Sequence, residues 1–382
     1  MKKKYALVLS GGGFKGAYQL GALRYIRENW NRITGQNNGM RFDIVAGVSV
    51  GALNGALVAS NQFEALESLW QKVYQNGGAE IYTSSYINND GKIQLRFEQL
   101  QKDLLPNFKV NAGLITKGLW NAIRNVFDKN IPGLVSTLLK SAERDFNQNF
   151  PHFKALASND PLEKKLKQFL DLGKFPKSTI YICGLVSIDD GLYYSLSNLD
   201  FDHNADFVQA VLASSSMPII WEPRPLIAAI NPDRIIRNAV DGGIRNTSPL
   251  GDVVRYINAD PEDAEYEVFI INCNSGYITP IDKQWNIGDI ALRTLTEITL
   301  AEIFSNDVNQ FLKVNSLAAQ ARQGNVVLQY KNKFLKEFGY TLVQPLHNEL
   351  GETMDSRSRL IQERETYGYE QAKKAFYSKF QT

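Results

Sequence analysis

The sequence predicts an α/β fold built on a mainly parallel central sheet, with a largely helical cap inserted into it. Three observations carry that prediction. An apolar run, a glycine-containing turn and a helical spacing follow one another twice within the first 60 residues, the pattern of strand–helix–strand units in parallel sheets. Apolar runs return at 179–188, 235–240 and 267–273, with helical segments between them. Between 78 and 178 the pattern gives way to loop signals and amphipathic stretches, as an insertion would.

The first strand is read at 5–9, ending in Ser10-Gly11-Gly12-Gly13. Ala17, Leu20, Leu23, Tyr25 and Ile26 then recur at helical spacing through Arg32. A second strand, Phe42 to Ala46, runs into Gly47-Val48-Ser49-Val50-Gly51, and small residues from Ala52 to Ala59 continue as a closely packed helix. Inside the insertion, Leu114, Ile115, Leu119, Ile123, Val126 and Phe127 share one helical face, and the stripe resumes past Pro132. Residues 101–180 hold 13 Lys or Arg against seven Asp or Glu. A net-positive amphipathic segment fits docking on anionic lipid through 111–140, and equally an ordinary helical cap over the core. Asp190-Gly191 between two apolar runs predicts a hairpin joining 179–188 to 192–196. A helix over 206–214, a strand at 235–240 leading to Asp241-Gly242-Gly243, and a late central strand at 267–273 follow. Helices are expected over 287–322, and a polar helix from Arg357 to Phe380. The expected division is a core of 1–77 and 161–330, a helical cap of 78–160, and a helical C-terminal extension of 331–382.

The 382 residues suffice for a large core, and 42 basic against 40 acidic residues give no global pull toward nucleic acid. Cys183 and Cys273 lie in apolar strands, which favours buried thiols over a disulfide or a metal site. The opening Met1-Lys2-Lys3-Lys4 mimics the start of a secretory signal, but its apolar run stops after five residues and reads as a strand. No stretch approaches the ~18 apolar residues of a spanning helix, so a cytoplasmic or membrane-peripheral protein is expected.

Gly-x-Ser-x-Gly serves where a serine sits on a sharp strand-to-helix turn, because the glycines let the backbone close without Cβ collisions. Ser49 fits that role, with Gly47 and Gly51 as its flanks. The plain alternative is a glycine turn packing a helix on a strand. Gly11-Gly12-Gly13-Phe14-Lys15-Gly16 supplies consecutive N–H groups at a helix start, suited to an oxyanion or a phosphate. It also satisfies Gly-x-Gly-x-x-Gly, yet the second strand ends in Ala46 where dinucleotide sites place an acid. A Walker loop would need Lys and Ser or Thr after Gly16, where Ala17 stands.

A serine nucleophile needs a base, and this chain has three histidines. His152 lies in the insertion and His203 in an acidic turn, positions typical of solvated residues. His347 follows Ser49 and Asp241 in the chain order of α/β-hydrolase triads, but in an irregular segment beside Pro345. Asp241, at the end of an apolar strand and before two glycines, is the stronger candidate base. A carboxylate with an ordinary pKa near 4 is a weak base, so this role requires a desolvated site.

Taken in order, Gly11 to Gly16, Gly47 to Gly51 and Asp241-Gly242-Gly243 resemble the glycine loop, nucleophile turn and Asp-Gly-Gly blocks of the patatin-like phospholipases. Ala213-Ser214-Ser215-Ser216-Met217-Pro218 is similar to the segment before that family's catalytic aspartate, and the helix from Pro161 to Leu170 to the one before its middle strands. The resemblance covers 1–76 and 161–275. It implies a three-layer sandwich and a Ser49–Asp241 dyad without histidine or any cofactor or metal. It also implies an acyl-enzyme on Ser49, an oxyanion hole from Gly11, Gly12 and Gly13, and a phospholipid or other fatty acyl ester as substrate. Lys15 stands where that family is often basic, which implies either a contact with a phosphate headgroup or a solvated side chain. The alternatives are a non-catalytic lipid-binding module of the same fold, a Ser-His-Asp esterase using His347, and a nucleotide binder.

Overall fold

In the computed structural model, residues 2–87, 91, 96, 99, 155–231, 235–262, 264–278, 280–282, 290, 293–330 and 333–379 are described. The lipid-docking segment 111–140, most of the expected cap and His152 lie outside them.

Strand β1 (Lys2–Leu9) starts three residues before its apolar run, because Lys2 and Lys4 pair with Glu262 and Asp260 and so extend the register with strand β7 (Ala264–Ile271). Helix α1 (Gly16–Glu28) stops at Asn29, whose side chain turns back to the Tyr25 carbonyl. A short α2 (Trp30–Thr34) resumes after it, so the single helix expected through Arg32 is broken. Strand β2 (Ile44–Val48) is wholly buried and leads into α3 (Val50–Ala59), then α4 (Phe63–Asn76). Further along the chain come α5 (Asp160–Phe169), the hairpin β3 (Ile180–Ser187) and β4 (Tyr193–Ser197), and α6 (Asn204–Ser214). β5 (Arg224–Ile227), β6 (Ile236–Asp241), α7 (Leu250–Ala259) and β7 follow. The long α8 (Thr299–Gln323), a two-residue ribbon of β8 (Gln329–Tyr330) and β9 (Lys333–Phe334), β10 (Gly339–Val343) and α9 (Ser358–Lys379) complete the chain.

The main sheet runs β10-β7-β1-β2-β3-β6-β5, with β4 also on β3. The five strands from β10 to β3 are parallel, whereas β4, β5 and β6 pair antiparallel. One face packs under α1, α3, α4, α6 and α9, the other under α7 and α8. Strands covered on both faces read as continuous apolar runs, as β1 and β2 do.

Within 331–382, expected as a helical extension, β10 and α9 join the core. β10 adds an edge strand to β7, and α9 lies along α1 so closely that a Cβ on Gly21 would fall 1.8 Å from the Glu365 carbonyl oxygen. A five-residue strand following a polar ribbon carries too little periodicity to be seen in the sequence.

Candidate active site

The serine turn is shaped by contacts its glycines leave open. A Cβ on Gly47 would sit 2.1 Å from the Gly51 carbonyl oxygen, and one on Gly51 would sit 2.2 Å from that of Leu9. Ser49 itself has φ 57° and ψ −130°, a conformation costing ~1–3 kcal/mol that persists only when its surroundings enforce it. They do so here: the Ser49 N–H donates to Ser214 Oγ (3.1 Å), which donates to the Gly184 carbonyl on β3 (2.6 Å). Ser49 caps the N-terminus of α3, so the partial positive end of that helix underlies the hydroxyl.

Strand β3 brings Asp241 to this turn. β4 occupies one edge of β3, so β2 and β6 share the other, and they abut: Val48 pairs with Gly184, and Asp241 with Leu185. Ser49 follows Val48, which sets serine and aspartate side by side although 192 positions separate them in the chain. Gly242 permits the approach, because its Cβ would fall 2.4 Å from the Gly184 carbonyl oxygen. The Asp241 N–H donates to the Ser216 carbonyl (2.9 Å), so the short serine run holds both halves of the site.

The Asp241 carboxyl is buried. Oδ1 accepts from the Gly243 N–H (2.7 Å), while Oδ2 has no partner in hydrogen-bond geometry among the described residues. Burial pushes its pKa up to about 7, against smaller downward pulls from the Ser49 hydroxyl and the Gly243 N–H. The hydroxyl is therefore close enough to act on the carboxylate, without the alignment of a formed bond. Such pairs commonly tighten only when substrate arrives.

The glycine loop splits its donors. The Gly11 N–H is spent on the Thr247 carbonyl (3.0 Å) and that of Phe14 on the Thr353 carbonyl (2.9 Å). Among the described residues no acceptor meets the N–H of Gly12 or Gly13, and Gly13 lines the same cavity as Ser49. Gly11 was expected as a third donor; it serves instead as a spacer, a Cβ there falling 3.3 Å from that of Ser49. A narrow cavity of about 60 Å³ opens beside Ser49, walled by apolar side chains that include Leu53, Leu57, Trp70, Leu166 and Trp221.

Lys15, read as either a headgroup contact or a solvated side chain, is 2% exposed. Its ammonium donates to Asn274 Oδ1 (3.1 Å) and faces Glu297 Oε2 at 3.6 Å, and burial lowers its pKa. An inward Lys neither steers a ligand outside nor lies in solvent. His347 is exposed, its ring edge-on to Tyr277 (5.9 Å), and His203 is an exposed residue before α6. Neither hydrogen-bonds to Asp241 or Ser49 among the described residues. The roles of Ser214, Ser216, Thr247 and Thr353 were missed by sequence reasoning. Only the serine run before Pro218 carried a signal, since a carbonyl acceptor leaves none.

A family model described as patatin-like phospholipase matches residues 7–254. No curated protein matches the chain. Among solved structures, VipD from Legionella pneumophila is 14% identical with a TM-score of 0.40, the match covering 98% of this chain and 67% of VipD. The ExoU–SpcU complex from the type III secretion system of Pseudomonas aeruginosa is 16% identical with a TM-score of 0.26, covering 82% of this chain and 52% of that one. This chain thus spans about two thirds and about half of those proteins. The family match takes in both glycine turns, the Asp-Gly-Gly end of β6 and the strand that registers them, and the chain belongs to the patatin-like phospholipase family.

Proposed function

We propose that this chain is a lipid acyl hydrolase of the phospholipase A type, with Ser49 as nucleophile and Asp241 as its base. The observation that carries the reading is the Asp241 carboxyl itself: buried at the Ser49 turn, with Oδ2 unpaired among the described residues, a burial that raises its pKa to about 7. A carboxylate of ordinary pKa would be a poor proton acceptor, and desolvation supplies the missing basicity.

In this reading Ser49 Oγ attacks the ester carbonyl carbon while its proton passes to Asp241 Oδ2. The tetrahedral oxyanion is held by the N–H groups of Gly12 and Gly13 and by the N-terminus of α3. Collapse breaks the bond to the leaving alcohol, which takes the proton back from Asp241, and leaves an acyl group on Ser49. Water then attacks that acyl-enzyme, giving its proton to Asp241, and the fatty acid departs as the proton returns to Ser49. The apolar lining of the cavity beside Ser49 matches an acyl chain, whose removal from water favours binding by ~0.8 kcal/mol per methylene. No step calls on a metal or organic cofactor.

The test is hydrolysis of a fluorescent phospholipid and a p-nitrophenyl acyl ester by wild type, Ser49→Ala, Asp241→Asn and His347→Ala. The first two substitutions are expected to remove at least ~1,000-fold of kcat, and the third to leave it within about twofold. Turnover surviving in Ser49→Ala sinks the mechanism; a folded but inactive His347→Ala replaces the dyad with a triad.

A further inference from the structure

Helix α9 carries a charge into the interior. Arg364 is 1% exposed, and its guanidinium is met by backbone carbonyls: Nε donates to Leu350 (2.8 Å), Nη1 to Asp355 (2.6 Å) and Nη2 to Glu352 (2.6 Å). Burial lowers its pKa to about 10, so it stays protonated at neutral pH. A guanidinium is costly to bury unless its donors are satisfied. Three parallel demands on one turn make it a clamp whose geometry a point charge could not reproduce.

The clamped carbonyls bracket Thr353, and Thr353 touches the glycine loop. Its carbonyl accepts the Phe14 N–H (2.9 Å) and lies 2.8 Å from where a Gly13 Cβ would be. Its N–H donates to Glu297 Oε1 (2.8 Å), and its hydroxyl to the Thr296 carbonyl (3.2 Å). Glu297 belongs to a single π-helical turn, Thr294–Ile298, the kind of irregularity that often marks functional sites. Its other carboxylate oxygen faces Lys15 at 3.6 Å. The loop is thus held immediately after Gly13, at Phe14 and at Lys15, by groups beyond the family match that ends at residue 254.

We infer that Arg364 is a positioning residue for the Gly12–Gly13 donors, acting through the 350–355 turn and Thr353, with Glu297 as the second hold on the same loop. The inference rests on the hydrolase reading for its catalytic consequence, though not for the contact itself. Donors serve an oxyanion within a narrow range of about 2.7–3.1 Å, and a displacement of about 1 Å costs on the order of 100-fold in rate.

The experiment compares wild type, Arg364→Gln, Arg364→Lys, Glu297→Gln and a control, Arg359→Gln, whose side chain is 91% exposed on the same helix. Two readouts are taken: kcat and KM on a soluble ester, and amide hydrogen exchange of the 10–16 peptide. Arg364→Gln is expected to lower kcat roughly 10- to 100-fold with KM nearly unchanged, because the lost interaction acts only at the transition state. Exchange at 10–16 and 350–356 should accelerate while β2 and α3 keep their protection. Lysine should rescue little, since one ammonium cannot span three carbonyls. Arg359→Gln should match wild type. A folded Arg364→Gln with wild-type kcat, or with unchanged exchange at 10–16, overturns the inference. Should that variant not fold, Glu297→Gln decides on the same two readouts, and wild-type values there overturn it equally. If wild type hydrolyses no ester while Arg364→Gln still loosens 10–16, the hydrolase reading fails and the positioning contact stands.

Discussion

Between pH 5 and 8 the ionisation of Asp241 should govern turnover. Burial raises this carboxyl from 3.8 to about 7, a bias toward the acid of roughly 4 kcal/mol at 1.36 kcal/mol per pKa unit. At pH 5 a base of that pKa is about 1% ionised, whereas an ordinary carboxylate would be over ~90% ionised. kcat/KM should therefore climb close to tenfold per unit from pH 5 and level off above pH 7, an overall gain of about 100-fold. The assay is a short-chain p-nitrophenyl ester, chosen so that no lipid interface titrates, with the Ser49→Ala rate subtracted. A histidine base would give a similar inflection, so the profile is repeated in His347→Ala, where it should persist. Stability should move the opposite way. The folded pKa lies above the unfolded one, so the native state retains a proton that the unfolded chain has lost between pH 4 and 7. Stability falls through that window and levels above it. Asp241→Asn removes the penalty and should gain up to ~4 kcal/mol over wild type at pH 8 but little at pH 4, read from denaturant midpoints. A flat kcat/KM from pH 5 to 8 would refute the argument that desolvation makes this carboxylate a base.

Gly51→Ala sets a Cβ 2.2 Å from the Leu9 carbonyl oxygen, part of a strand that cannot yield, and should cost more than ~3 kcal/mol by urea denaturation. Gly251→Ala, in helix α7 with nothing within 4 Å, should instead be neutral or stabilising by up to ~1 kcal/mol. Ser214→Ala leaves the Ser49 N–H and the Gly184 carbonyl without their shared partner, and should cost ~1–3 kcal/mol and lower kcat more than it raises KM. Leu53→Trp fills part of the cavity beside the nucleophile, and should raise the kcat/KM ratio of four-carbon to twelve-carbon esters by about tenfold or more. Equal losses on both esters would detach that cavity from the acyl chain.

Local backbone demands are written in the residues that meet them, which is why the strand–turn–helix order, the Ser49 turn and the Asp-Gly-Gly strand end were legible in the sequence. A glycine whose Cβ would strike a carbonyl oxygen is a constraint a reader can see without knowing which carbonyl. What the sequence could not disclose were relations between distant segments. That β2 and β6 meet on one edge of β3, setting Ser49 against Asp241, follows from register. That the Asp241 carboxyl has its pKa raised to about 7 follows from the water excluded around it. Lys15, at a position often basic in the family, read as a headgroup contact or a solvated side chain; Glu297 and Asn274 approach it from beyond residue 254 and take it inward. Desolvation, pairing and donor satisfaction belong to neighbourhoods, and only the folded chain assembles those.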